Sequence, residues 1–141
     1  MSVDRLKLAA YILSAVCLGA CSGQKTLSPE DVKIQVGNVR SFAAGAQLLC
    51  ESLSKGETTE TFFRTQASLL ADKADTAASD LDANGGNTED ARRRGQMLAI
   101  ELRSLLQTLE NDPNAAAKSL GQTSSLTKNA SRVEDALRSS E

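Results

Sequence analysis

From residue 32 to residue 53 the apolar side chains fall at Val32, Val36, Val39, Ala43, Ala46, Cys50 and Leu53, separated by steps of four and three in strict alternation. That spacing draws one stripe down one side of an α-helix and is incompatible with the period of two that a strand needs. Its ends are marked as helix ends are. Ser28 is a cap residue with Pro29 in the first helical position, where the missing N–H costs nothing. Asp31 sits at N3, near the positive end of the helix dipole, and Gly56 supplies a stop.

The pattern repeats. After a cap at Thr58 or Thr59, a second stripe runs Phe63, Ala67, Leu70, Ala74, Ala77, Leu81, and Gly85-Gly86 closes it in the tightest turn of the chain. Asn87 or Thr88 opens a third, with Ala91, Gly95, Leu98, Leu102, Leu105 and Leu109. Asp112-Pro113 starts a fourth by the same cap-then-proline logic. Here residues 121–125 (GQTSS) have poor helix propensity and predict a kink or frayed turn before Leu126, Ala130, Val133 and Leu137 resume the stripe. Nothing in the chain reads as a β-hairpin. The expected fold is all-α, an antiparallel four-helix bundle over residues 28–141. A three-helix bundle with a loosely docked C-terminal helix is the alternative. The first two stripes are rich in Ala and Gly, which bury little apolar area per turn, so modest stability is expected.

Ahead of the bundle stands a different kind of segment. Asp4, Arg5 and Lys7 precede an apolar run over residues 8–18, too short for the roughly 20 residues of a membrane-spanning helix. Leu18-Gly19-Ala20-Cys21 then closes it, as small residues close a secretory signal peptide. This tetrapeptide resembles the lipobox of bacterial lipoproteins. The resemblance implies that residues 1–20 are a cleaved signal peptide and that Cys21 becomes the acylated first residue. It further implies that Ser22, rather than an Asp at that position, sends the product to the periplasmic face of the outer membrane; the alternative is an inner-membrane lipoprotein. Two or more acyl chains anchor stably where one does not. Residues 22–27 (SGQKTL) read as a flexible tether that reaches ~20 Å at most, so the folded part stays close to the membrane.

Composition narrows the chemistry. Losing Asp4, Arg5 and Lys7 with the leader takes the formal charge from −2 to −3. The remaining aromatics are Phe42, Phe62 and Phe63, and neither feature suits a nucleic-acid partner. Histidine is absent, which removes the commonest general base and metal ligand together. Zinc, haem and Ser-His or Cys-His catalysis are not expected, nor is any other cofactor. The order of residues 82–87 (DANGGN) lacks the spacing of a calcium loop and reads as a turn.

Five candidate contact positions emerge. Cys50 lies in the first stripe and reads as a small buried hydrophobe, with an intermolecular disulfide as the lesser alternative. Arg92, Arg93 and Arg94 occupy the first turn of the third helix, the unfavourable end of its dipole for cations. Successive residues turn by about 100°, so the three cannot share a face. A solvated charged turn is the simpler reading, and contact with phosphate groups or an acidic partner the sharper one. Phe62 adjoins Phe63, so one of the pair faces the core and Phe62 is left as a possible partner anchor.

Together these features predict a non-enzymatic, lipid-anchored helical module that binds another envelope protein. Its size and lipobox resemble those of secretion-system pilotins, entry-exclusion lipoproteins and accessory subunits of envelope machines, although pilotins usually carry two mature cysteines and this chain keeps one. The alternative is a structural or stress-related lipoprotein that contacts peptidoglycan or lipid.

Overall fold

The structure, a computed structural model, describes residues 26–140. Cys21 and the leader over residues 1–20 lie outside the described residues. Four helices run in sequence: α1 (Pro29–Ser54), α2 (Glu60–Asp80), α3 (Glu89–Asn111) and α4 (Ala116–Ser139). They form an antiparallel four-helix bundle in which α1 packs most extensively on α4 and α2 on α3. Short 3₁₀ turns, Gly86–Thr88 and Pro113–Ala115, lead into α3 and α4.

The helix starts follow their cap residues. At α1 the Ser28 hydroxyl accepts from the N–H of Asp31 at 3.1 Å, while the Asp31 carboxylate accepts from the N–H of Ser28 at 3.2 Å, a reciprocal capping box. Thr59, not Thr58, caps α2 by accepting from the N–H of Phe62 at 3.3 Å. Gly56 follows α1 with φ +71°, the left-handed conformation that stops a helix at glycine.

Two helix ends are capped from the neighbouring helix instead. Neither α2 nor α3 has a basic residue in its last turn. Arg64 of α2 donates to the carbonyls of Glu110 and Asn111 at the end of α3, and Arg92 of α3 donates to the carbonyl of Leu81 at the end of α2. Because the two helices are antiparallel, the start of each lies beside the negative end of the other. Arg92 is therefore at the wrong end of its own helix and the right end of its neighbour.

The core runs the length of the bundle. Phe63, Leu102, Leu106, Leu109 and Leu126 fill one half with Ala43, Ala46 and Ala67 between them. Leu27, Val32, Val36, Leu81, Val133 and Leu137 fill the opposite end. The buried stripes of α2 and α3 are turned by one residue at several points from the expected ones. Ala71 is buried where Leu70 is half-buried, and Arg92, Ala99 and Leu106 are buried where Ala91 and Leu98 are half-buried.

Three expectations are corrected. Helix α4 is continuous through residues 121–125. Thr123 is fully buried and its hydroxyl donates to the carbonyl of Leu120 at 3.0 Å, so packing outweighs weak propensity and a satisfied threonine serves as a core residue. The same helix is firmly packed on α1, which excludes the loosely docked alternative. Finally, the end of the tether belongs to the fold. The N–H of Leu27 donates to the carbonyl of Asn84 at 2.8 Å, Thr26 forms an isolated parallel bridge with Asn84, and the Leu27 side chain is buried.

Candidate functional site

Antiparallel topology sorts the surface into two ends. The start of α1, the α2–α3 turn and the end of α4 share one end; the α1–α2 and α3–α4 turns share the other. Phe62, in the first turn of α2, belongs to the second end, while Arg92, Arg93 and Arg94 belong to the first. The structure does not bring these candidates together.

Phe62 stands 53 % exposed beside fully buried Phe63, as two adjacent helical residues must when one faces the core. Across from it on α1 is Leu48, 64 % exposed. Between them lies an open groove of about 440 Å³ floored by Gly45, Leu49 and Leu70 and closed at one end by the Glu57–Thr58 loop. A Cβ at Gly45 would be 3.8 Å from both methyls of Leu70, so glycine leaves the floor open by about one methyl group. An aromatic ring beside a large aliphatic side chain over an apolar floor is the make-up of a partner-binding hot spot. Leu48 was not foreseen, because it falls off the apolar stripe and a single leucine off-stripe is unremarkable in a sequence.

A second groove of about 550 Å³ lies between α3 and α4, with Met97 and Ile100 exposed at its mouth. Its remaining lining mixes Leu105 with Glu101, Ser104, Thr108 and Gln122, much as Ser52, Glu57 and Gln66 border the first groove, but it has no aromatic anchor.

The three arginines separate as helical geometry requires. Arg92 is only 7 % exposed, which corrects its candidacy as a contact residue. Its Nε donates to Glu89 Oε2 at 2.9 Å and its Nη2 to Oε1 at 2.9 Å, a two-pronged pair that adds to the Leu81 contact. Glu89 also accepts from the N–H of Gly85 at 2.9 Å and from Arg93 at 2.7 Å. The hydrogen bonds from Arg92, then from Gly85 and Arg93, hold the Glu89 carboxyl far below the usual carboxylate range; the same Glu89 bonds raise the Arg92 guanidinium. Arg93 and Arg94 point outward, paired along the helix with Glu89 and Asp90. They alone of the three are available to a partner.

Cys50 is fully buried against the core, which fits a packed thiol and leaves no room for a disulfide to another molecule. Burial, reinforced by the charge of Glu51, pushes its thiol up to about 11. Phe42 is half-buried with the Lys73 ammonium 5.9 Å from its ring centre. Sequence reading also missed Glu134 of α4, a buried carboxylate that pairs with Arg40 of α1 at 2.9 Å and with Arg138 at 2.6 Å. A charge on the seam of a helix carries no signal of its partner when that partner is on another helix. Residues 82–87 form a turn, in which the Asn84 side chain accepts from the N–H of Gly86 at 2.9 Å. Among the described residues no group of three or more His, Cys, Asp or Glu is placed to hold a metal ion, and no helix is long and apolar enough to cross a membrane.

Fold and groove together define a small four-helix bundle with an exposed apolar face at one end. The chain matches no family model, no curated protein and no solved structure.

Proposed function

We propose that this chain is a lipid-anchored helical module of a bacterial cell envelope, held at the periplasmic face of the outer membrane through Cys21. It binds another envelope protein through the α1–α2 groove, and its work is binding rather than catalysis. The anchor rests on Leu18-Gly19-Ala20-Cys21 behind a short apolar run. The observation that carries the binding role is the pair Leu48 and Phe62, both more than half exposed over one apolar floor.

Leu48 and Phe62 border one groove, so a single partner surface that covers it removes both side chains from water together. The complementary partner surface is an apolar ridge, such as the exposed stripe of an amphipathic helix laid between α1 and α2. Arg93 and Arg94 lie at the opposite end and take no part in this contact.

A photo-crosslinking residue placed at Phe62 or Leu48 tests the reading, with one at exposed Lys118 as control. Adducts to one and the same envelope protein from both groove positions, and none from the control, are expected. Phe62→Ala then weakens that complex by about 2 kcal/mol, roughly 30-fold. Adducts from all three positions alike, or from none, would remove the binding role.

A further inference from the structure

The pin at Leu27 settles which way such a module faces. We propose, on the footing of the acylated Cys21 just argued, that the α2–α3 corner is the bilayer-facing surface and that the Leu48–Phe62 groove is turned away from the lipid.

Four residues, 22–25, separate Cys21 from Thr26. Even fully extended, the chain from Cys21 to Thr26 spans only ~17 Å. Thr26 and Leu27 are not part of that reach, because they are fastened to Asn84 and Leu27 is buried with Val32, Leu81 and Val133. The fixed point is therefore the corner where α2 ends and α3 begins. The bundle stands ~39 Å from that end, the length of the 26-residue α1, and Leu48 sits ~29 Å along it.

The corner suits the headgroup layer. Its exposed residues include Asp82, Asn84, Asn87, Asp90 and Arg93, and among the described residues the exposed large apolar side chain at this end is Ile34, in the second turn of α1.

The test uses the full chain, expressed as the lipoprotein, purified from membranes and reconstituted in phospholipid vesicles with a nitroxide on the headgroup. A fluorophore is attached to Asn87→Cys at the corner or to Glu57→Cys at the far end, each with Cys50→Ala. Quenching several-fold stronger at the corner than at the far end is expected. A 20-residue flexible insert between Gln24 and Lys25 should abolish most of that difference without touching the fold. Equal quenching at both sites, or stronger quenching at the far end, overturns the orientation. The mass of the peptide containing Cys21 is measured on the same samples. An unmodified Cys21 removes the anchor itself and this inference with it, whereas an acylated Cys21 with the wrong quenching pattern removes only the orientation.

Discussion

The guanidinium of Arg92 donates to the carbonyl of Leu81, so the first turn of α3 closes the last turn of α2. With Glu89 gripping the same guanidinium, this arginine is a buried, fully engaged charge rather than a surface one. Arg92→Ala leaves the Leu81 carbonyl without this donor and Glu89 without its main partner, at a cost of about 2–4 kcal/mol. Arg93→Ala and Arg94→Ala, each removing one exposed pair within a helix, should each change stability by less than ~0.5 kcal/mol. Urea denaturation followed by circular dichroism separates the two classes.

Glu89 makes the same corner sensitive to acid. Its folded pKa is depressed, so the unfolded chain binds the proton more readily. The stabilisation is complete above the unfolded value near 4.5 and is lost as the pH falls below it toward the folded value. Unfolding free energy measured from pH 6 downward should decline below about 4.5, and Glu89→Gln should flatten part of that decline while lowering stability at neutral pH.

Cys50 gives the opposite slope in alkali. Its thiol stays protonated in the fold up to about 11, whereas the unfolded thiol ionises near 9.0. The unfolded chain therefore holds fewer protons between those values, and stability falls as the pH rises through them. At neutral pH an alkylating reagent should label Cys50 of the native protein no faster than global unfolding allows, and at once in denaturant.

Gly95 of α3 is packed directly against Val36 of α1. A Cβ there would lie 2.8 Å from Cγ2 of Val36, a fully buried and stiff side chain. Gly95→Ala gains up to ~1 kcal/mol of helix propensity but overpacks the seam by ~1–3 kcal/mol, so a net loss is expected. Val36→Ala in the same chain should remove the clash, making the double variant more stable than the two single losses predict.

Much of this is legible in the amino-acid sequence alone. The stripe from Val32 to Cys50 is buried as its spacing implies, and the caps at Ser28 and Thr59 start α1 and α2. Periodicity and caps are local, so they survive in a single sequence. What the sequence concealed is what depends on a neighbour. Residues 121–125 look like a break until Thr123 is seen packed, and Arg92 looks misplaced until the end of α2 is seen beside it. The groove was half legible: Phe62 follows from its adjacency to Phe63, but Leu48 gains meaning only when α2 is laid against α1.

The anchor is the claim on which the location, the partner class and the orientation all depend. Intact-mass measurement of the protein extracted from membranes tests it most directly. The expected result is a chain that begins at residue 21 and carries an acyl addition confined to the peptide containing Cys21. A chain that retains residues 1–20, or one whose Cys21 has the mass of an ordinary cysteine, would contradict it.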